Sequence, residues 1–493
     1  MTVETIVMRL DRLLTALPKA VTTGDLDREV TTIAAHHDAV RPGAVFVAVR
    51  GFRHDGHTFA AEAAARGAAA VVLEREIPLP QAVTRVLVGD SRVALAHLSA
   101  AFFGFPSQSL DVIGVTGTNG KGTTAYLIEA MLAAGGKPCG IVGTMGARIA
   151  GAAVALDRTT PEAVDLQRIL RRMVDAGLGH AVVEVASHAL ALHRVDGTRF
   201  AAAVFTNLTQ DHLDFHHSFE AYRDAKRRLF EMVSPAGISI VNADDASGPA
   251  MAASSRAPVL TYGMEQPADI TASGVRLHLG GSEYTLRTPR GSVPVVTPLH
   301  GRFNVSNALA AAAVAQHYGI PLGVISNVLT AFRGVPGRFE AVDEGQGFGV
   351  VVDYAHTPDG LDNVIRTAKD FVQGRTIVVF GAGGDRDRTK RPIMGSIVAA
   401  LADVAVVTSD NPRTEDPAAI IAEIVAGMGG GRAHVEVEPD RRLAIARAVG
   451  TARPGDFIII AGKGHEPYQE IQGTRYPFDD RQVAREALRA RSG

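Results

Sequence analysis

Residues 114 to 125 read "GVTGTNGKGTTA". The run "LDVIGVT" leading into the stretch has the composition of a buried strand, and "KGTTAYLIEAMLAAGG" that follows has that of a helix. A glycine-rich turn between a strand and a helix N-terminus gathers backbone N–H groups that converge on phosphate, and the helix dipole favours the negative charge. Gly117, Gly120 and Gly122 permit the tight backbone, and Lys121 is placed to bridge β- and γ-phosphates. The strict pattern G-x-x-x-x-G-K-[ST] is not met. Val115 stands where the outer glycine falls, and Gly122 where the Mg2+-binding hydroxyl falls, which leaves Thr123 or Thr124 to supply it. The plainer alternative is a glycine-rich turn with a chance lysine; a strand directly before and a helix directly after argue against it.

Outward from this loop the chain alternates strands and helices. "HAVVEVA" (180–186) and "AAAVFTNL" (201–208) each run into polar residues, the pattern of a parallel sheet with loops at the carboxyl ends of its strands. "HGRFNVSNALAAAAVAQHYGI" (300–320) reads as a helix entered through a polar loop. Upstream, "AVFVAVRG", an Ala-rich helical stretch, "AAVVLE" and "TRVLVGD" make a small α/β unit, closed by the linker "FGFPSQS" (103–109). Downstream of the Gly/Pro-punctuated "FRGVPGRFE" (332–340), further buried strands run into polar loops at "DYAHTPDG", "GAGGDRD", "TSDNPRTEDP" and "AGKGHEPYQE". "GAGGDRD" is not G-x-G-x-x-G, so a dinucleotide site there is weak. The expected fold is α/β with three domains, 1–105, 106–333 and 334–493. A central P-loop domain with a parallel sheet is flanked by a small N-terminal α/β domain and a C-terminal Rossmann-like domain.

The length of 493 residues agrees with about three domains. A chain 46% hydrophobic and 21% charged can form ordinary globular cores. The net charge of −2 lacks the basic excess of a nucleic-acid binder. A single cysteine, Cys139, excludes an internal disulfide and any multi-cysteine metal site and fits a reducing cytosol. "MTVETIVMRLDRLLTAL" is read as a helical segment through Ile6, Leu10, Leu13, Leu14 and Leu17, not as a signal peptide, because Asp11 and Arg12 interrupt its apolar run. No uninterrupted apolar stretch is long enough to span a bilayer. The expectation is a cytoplasmic monomer without nucleic-acid or membrane partners. His212, His216 and His217 fit no strong zinc spacing.

"GTNGK" after a strand resembles the ATP loop of the Mur ligase family and of its relatives, the folylpolyglutamate synthases. In the same order as in that family follow "VEVASHAL", "TNLTQDHLDFH", "AYRDAKRRLF", "VNADD", "HGRFNVSNALAA", "GVPGRFE", "DYAHTPD", "GGDRDRTKRP", "SDNPRTEDP" and "AGKGHEPYQ". Within the family, "DNPR" resembles the branch that adds meso-diaminopimelate, rather than L-lysine, to UDP-N-acetylmuramoyl-L-alanyl-D-glutamate. The resemblance covers the chain from about residue 40.

That resemblance implies ATP-driven amide formation through an acyl phosphate, with ATP and Mg2+, in the synthesis of a peptidoglycan precursor. It implies an ATP site at Gly117, Thr118, Asn119, Gly120, Lys121, Gly122, Thr123, Asn304, Arg338, Asp353 and His356. It implies Thr123, Glu184, His212 and Lys226 around the metal, with Lys121, Glu184, His212 and Lys226 as the catalytic set. Lys226 matches a lysine that CO2 carbamylates to N6-carboxylysine; from its neighbours Arg227 and Arg228 alone it would be a plain surface lysine. Thr159, Thr160, Ser187 and Arg194 match contacts to the muramoyl dipeptide, and the resemblance assigns residues 1–105, where the match is weakest, to the UDP-sugar-binding domain. Arg386, Asp410, Asn411, Pro412, Arg413, Gly462 and Glu466 match the diaminopimelate pocket. An Arg fork there takes a carboxylate while acid and amide oxygens take an ammonium. Without the family, Arg413 would be a surface partner of Glu415 or Asp416.

The chain departs from the family pattern at four places. "HHD" (His36, His37, Asp38) stands where D-S-R holds the uridine; Ala186 replaces a serine; Leu192 stands where many members have Gln; and Gly122 replaces a hydroxyl. Two further readings are a paralogous ligase acting on another carboxylate and a non-catalytic nucleotide-binding protein. The retained Glu184, His212 and Lys226 argue against the second.

Overall fold

The structure, a computed structural model, describes residues 6–52 and 54–492. Residues 1–5 of the N-terminal stretch therefore lie outside the described residues. Of the remainder, Met8–Arg9 forms a strand and Leu10–Leu14 a helix that buries Leu10, Leu13 and Leu14. The chain divides into two compact units, the first running to Ile270 and including Ala310–Pro321, the second comprising Thr271–Leu309 and Leu322 onward. The helix Arg302–His317 contributes to both.

Besides the short antiparallel pair Met8–Arg9 with Glu29–Val30, the first unit has two larger sheets among the described residues. The N-terminal sheet has the order Val21–Thr23, Thr84–Leu87, Ala70–Leu73, Ala44–Val47, Thr32–Ala34. Only the first pair is antiparallel. Ala44–Val47 and Ala70–Leu73 are buried along their whole length, which explains why they read as unbroken apolar runs. The edge strands Val21–Thr23 and Thr32–Ala34 are additions to the sequence reading. Three residues, mostly Thr, are too short to show a period. The helix Ser91–Phe102 starts at Asp90, whose carboxylate accepts from the Arg92 and Val93 N–H groups.

The central sheet of this unit runs Cys139–Gly143, His180–Glu184, Asp111–Thr116, Phe200–Phe205, Val233–Asn242, Val259–Gly263, all parallel. Gly146–Ile149 and Ala152–Val154 extend its first edge antiparallel. Asp111–Thr116 lies between strands that come later in the chain on both sides, so the order reverses around it. Ligands of open α/β sheets sit outside the carboxyl ends of strands at such a switch point. The glycine-rich turn occupies that position.

The second unit contains an antiparallel meander, Ile270–His278, Gly281–Thr288 and Gly291–Thr297, of which Ile270 itself belongs to the first unit. Its main sheet has the order Glu340–Ala341, Gly349–Asp353, Phe457–Ala461, Thr376–Phe380, Val404–Val407, His434–Val437, parallel but for the first short strand. Thr376–Phe380 and Phe457–Ala461 are wholly buried between helices. Pro358 and Pro417 each open a helix, behind the caps Thr357 and Asp416. A hairpin, Tyr468–Ile471 with Thr474–Pro477, follows the loop after the central strand.

Candidate active site

In the first unit three adjacent strand ends surround the glycine-rich turn. Val115 is in register with Glu184, and Thr116 with Phe205. The end of the Phe200–Phe205 strand clamps the turn. Thr118 N–H donates to the Asn207 carbonyl at 2.8 Å and Asn119 N–H to Asn207 Oδ1 at 2.9 Å. Thr206 Oγ1 donates to the Asn119 carbonyl at 2.6 Å. This approach requires Gly117, since a Cβ there would stand 1.8 Å from Thr206 Oγ1. Gly120, at φ 80°, makes the left-handed step into the helix Lys121–Ala134. The Lys121 Nζ reaches back to the Gly117 and Thr118 carbonyls at 2.9 and 2.8 Å.

Glu184 ends its strand only 2% exposed. Its Oε1 accepts from Thr144 N–H at 3.0 Å and its Oε2 from the Thr144 hydroxyl at 3.2 Å. Thr144 was not singled out in the sequence, although it directly follows the strand Cys139–Gly143 and so had a visible signal. Gly143 gives the carboxylate its room: a Cβ there would lie 2.0 Å from Oε1. A Cβ at Gly122 would lie 3.4 Å from the same oxygen, so position 122 is the helix residue that faces Glu184. Thr123 is half-buried, whereas Thr124 is fully buried.

Lys226 is 1% exposed, in contrast to a surface lysine. It shares the inner face of the helix Phe219–Glu231 with Tyr222, Leu229 and Phe230. Its Nζ donates to the Gly117 carbonyl at 2.7 Å and lies 4.5 Å from the centre of the Tyr222 ring. Burial and the neighbouring Lys121 charge push its pKa well below the ordinary lysine value, against a weaker pull from Asp211. His212 adopts φ 55°, a left-handed conformation costly for a residue with a Cβ and common at functional loops. The His212 ring lies 4.7 Å from the His188 ring and 6.1 Å from the Tyr222 ring.

The residues expected to meet the muramoyl dipeptide lie at the same sheet edge. Thr159 Oγ1 is 3.1 Å from Thr144 Oγ1. Thr160 donates to the Glu184 carbonyl at 2.7 Å and accepts from Ala186 N–H at 3.0 Å, so its hydroxyl fixes the backbone on either side of Val185. Ser187 is buried and hydrogen-bonded to His216 Nε2 at 3.0 Å. Arg194 pairs with Glu162 at 3.0 Å. In "HHD", His37 stacks on Phe59 with ring centres 4.1 Å apart, and Asp38 meets Arg66 at 3.3 Å.

The second unit holds the other expected residues. Asn304 is buried, and its amide donates to the His300 carbonyl at 2.9 Å. The Arg338 guanidinium lies 4.9 Å from the Tyr354 ring centre. Asp353 accepts from Phe339 and Ala355 N–H at 2.7 and 2.8 Å; burial raises its pKa against the pull of Arg338. His356 is exposed at the helix entrance, its Nδ1 2.7 Å from the Tyr354 carbonyl.

The loops after three neighbouring strands of the second sheet converge. Gly384 allows its loop to lie against Pro412, since a Cβ there would stand 1.9 Å from the Pro412 carbonyl, and its N–H donates to the Asn411 carbonyl at 2.9 Å. Asp385 and Arg413 both have positive φ, 53° and 51°. The Arg413 N–H donates to the Glu470 carbonyl at 3.0 Å, which ties it to the hairpin. The Arg413 guanidinium donates to the Gly384 carbonyl at 2.7 Å and approaches Glu470 at 3.9 Å. The surface pair with Glu415 is replaced by another: Arg391, fully buried, takes Glu415 at 2.8 Å. Arg386 is exposed on the same loop, donating to the Asp385 carbonyl at 3.2 Å. Asp410 is 7% exposed, and its Oδ2 is buried without a hydrogen-bond partner, beside Gly462, where a Cβ would stand 2.4 Å from it. Asn411 donates to Glu466 Oε2 at 2.8 Å. Arg441 and Asp480, both fully buried, form a two-pronged pair at 2.7 Å, and Arg441 also donates to the Ser409 and Ala461 carbonyls at 3.3 and 3.0 Å. Neither residue was picked out in the sequence, because nothing local distinguishes a buried Arg–Asp pair far apart in the chain.

A phosphate loop at a sheet switch point, with an acid and a buried lysine at adjoining elements, is the equipment of a nucleotide-dependent phosphoryl-transfer enzyme. Comparison with known proteins narrows the class. The chain matches the Mur ligase family catalytic domain over residues 30–103, the Mur ligase middle domain over 115–315 and the "Mur ligase, glutamate ligase domain" over 337–464. It is 44% identical to the UDP-N-acetylmuramoyl-L-alanyl-D-glutamate–2,6-diaminopimelate ligase of Geobacillus thermodenitrificans, over 98% of this chain and 100% of that protein. The protein of the same name from Geobacillus kaustophilus is 45% identical over the same shares. A solved structure of a ligase with that name is 34% identical, with a TM-score of 0.75 over 99% of this chain and 100% of that one. A folylpolyglutamate synthase of Mycobacterium tuberculosis, 20% identical, shares the fold with a TM-score of 0.60 over 76% of this chain and 92% of its own. The chain belongs to the Mur ligase family, ATP-dependent ligases that form amide bonds.

Proposed function

We propose that this chain joins meso-2,6-diaminopimelate to the D-glutamate carboxylate of UDP-N-acetylmuramoyl-L-alanyl-D-glutamate, consuming ATP, in peptidoglycan precursor synthesis. The observation that carries the choice of amino acid is the chemistry around "DNPR". Arg413 offers a guanidinium on a strained, hairpin-tied backbone, and Asp410 offers a buried carboxylate oxygen with no hydrogen-bond partner. An orphaned buried carboxylate oxygen is costly unless a donor arrives. An amino acid with an ammonium for Asp410 and a carboxylate for Arg413 supplies both partners. The assignment of residues 1–105 to the UDP-sugar, 106–333 to ATP and 334–493 to the amino acid belongs to the same proposal.

In this reading the turn at Gly117–Gly122 cradles the phosphates of ATP, with Lys121 as its mobile cation. The acceptor carboxylate attacks the γ-phosphorus, ADP leaves, and an acyl phosphate forms. The neutral amine of diaminopimelate then attacks the acyl carbon, phosphate leaves with the C–O electron pair, and the nitrogen gives up a proton to solvent. The donor set fits Mg2+, which takes few protein oxygens beside those of phosphate: Glu184 presents a carboxylate held by Thr144, with the Thr123 hydroxyl and His212 as further candidates. When bound, Mg2+ neutralises charge that develops on the phosphoryl oxygens. Lys226 is the expected N6-carboxylysine, and its low pKa supports that role because only the neutral amine reacts. The nitrogen lone pair bonds the carbon of CO2, a proton leaves to solvent, and the product is an anionic oxygen donor. Repulsion from Lys121 then becomes attraction.

The experiment is phosphate release with ATP, Mg2+ and the UDP-dipeptide, with and without meso-diaminopimelate, and product identification by mass. Release that requires both substrates, with a product heavier by one diaminopimelate residue, supports the proposal. One observation favours a second reading, a ligase for a different carboxylate acceptor: His37 is stacked on Phe59 where the family holds uridine. Diaminopimelate-dependent release with another carboxylate, and none with the UDP-dipeptide, would select it.

A further inference from the structure

Lys463 lies in the loop "AGKGHE" after the strand Phe457–Ala461, and its side chain is fully buried. Its Nζ donates to Asn411 Oδ1 at 3.1 Å and to Glu466 Oε2 at 3.3 Å, and stands 5.5 Å from the centre of the Tyr468 ring. Asn411 Oδ1 also accepts from Glu470 N–H at 2.9 Å, while Nδ2 donates to Glu466 Oε2 at 2.8 Å. A side-chain amide can sit either way round. Here two donors meet the oxygen and a carboxylate meets the nitrogen, so one orientation is enforced. Glu466 is held through the same Oε2 by both Asn411 and Lys463.

Lys463 also places a positive charge directly on the Glu466 carboxylate, while Arg441 with Asp480 forms a self-compensating buried pair and Lys390 is a further cation that Asp410 attracts. Removing the Lys463 charge would take that partner from a half-buried carboxylate. We propose that Lys463 is a positioning residue of the amino-acid site: it locks Asn411 and Glu466 in one arrangement. The inference rests on the reading of this cluster as the diaminopimelate pocket. No direct contact between Lys463 and the ligand is required.

The test compares Lys463→Met, which keeps length without a donor, with Lys463→Gln, which keeps a donor without a charge. KM for meso-diaminopimelate, ATP and the UDP-dipeptide is measured separately for each variant and for the unmodified protein. Hydrogen bonds to charged groups set the scale, so Lys463→Met raises KM for diaminopimelate about ten- to a hundredfold. The other two KM values stay within about twofold, and Lys463→Gln recovers part of the loss. Diaminopimelate KM unchanged in both variants, or all three KM values rising together, would overturn the proposal. If Lys463→Met does not fold, Lys463→Gln decides alone by the same split. Absence of any diaminopimelate product from the unmodified protein would overturn the functional reading first, and this inference with it.

Discussion

The Lys226 side-chain nitrogen donates to the Gly117 carbonyl oxygen at 2.7 Å, which ties the helix Phe219–Glu231 to the first glycine of the phosphate turn. For the amine buried there, the pull of Asp211 is weaker than the cost of desolvation, and Lys121 reaches the same carbonyl at 2.9 Å. A structural role alone would be better served by an apolar side chain. Lys226→Ala is therefore expected to abolish ligation while ATP binding, measured by calorimetry, stays near that of the unmodified protein. Added short carboxylates restore part of the activity. Near-normal turnover of Lys226→Ala would remove a carbamate from the mechanism.

The same burial makes a stability prediction. The folded pKa of Lys226 lies below its unfolded value, so the unfolded chain holds one more proton between the two, and stability rises with pH across that window. In CO2-free buffer, Lys226→Met should be more stable than the unmodified protein near pH 8. The advantage should shrink toward pH 10, with a slope of at most about 1.4 kcal/mol per pH unit. Denaturant titrations at several pH values measure it. A constant difference at every pH would contradict the assignment of a displaced pKa.

Glu184 gives a contrast between two glycines. Gly143→Ala drives a methyl group to within 2.0 Å of Oε1 and must displace the carboxylate, whereas Gly122→Ala leaves an ordinary 3.4 Å contact. Turnover should fall about a hundredfold or more in the first, the scale of losing one charge-stabilising contact, and change little in the second. Of the two threonines, Thr123→Val should weaken the Mg2+ dependence of the rate, because Thr124 is buried away from solvent. Equal rates for Gly143→Ala and Gly122→Ala would deny Glu184 its place.

Asp480 supports, through Arg441, the loops proposed to take the amino acid. Its removal leaves Arg441 charged and buried, and breaking such a pair costs about 3–5 kcal/mol. Asp480→Ala should lower Tm markedly and loosen the Ser409 and Ala461 carbonyls that Arg441 holds. At ~2–4 °C per kcal/mol for a large domain, a Tm within about 1–2 °C of the unmodified protein would show the pair to be dispensable.

Much of this was legible in the chain. Strand, turn and helix around Gly117–Lys121 announce themselves because a fully buried parallel strand is unbroken apolar sequence. Lys226 was harder. Arg227 and Arg228 beside it suggest a solvated face, yet Tyr222, Lys226, Leu229 and Phe230 recur at helical spacing, and that stripe is the buried one. Arg413 was recognised, but its partners were not: Glu415 three-dimensionally belongs to Arg391, a long-range pairing that local spacing does not encode. Lys463 was missed because glycines on both sides make its loop look exposed. Thr144 and the edge strands Val21–Thr23 and Thr32–Ala34 escaped for want of length or pattern.

The identity of the added amino acid is open to a competition. L-Lysine has a hydrogen where meso-diaminopimelate has its second carboxylate, on the carbon that bears an ammonium in both, so it would leave the Arg413 guanidinium without the carboxylate partner. A charge-assisted hydrogen bond contributes about 1.5–3 kcal/mol. With each 1.36 kcal/mol worth about tenfold, diaminopimelate should be favoured about ten- to a hundredfold in kcat/KM. Arg413→Ala should erase most of that preference by slowing diaminopimelate, with little gain for lysine. Both amino acids are supplied together with ATP, Mg2+ and the UDP-dipeptide, and the products are separated by mass. The unmodified protein should give almost only the diaminopimelate product; comparable amounts of the two products would contradict the proposed function.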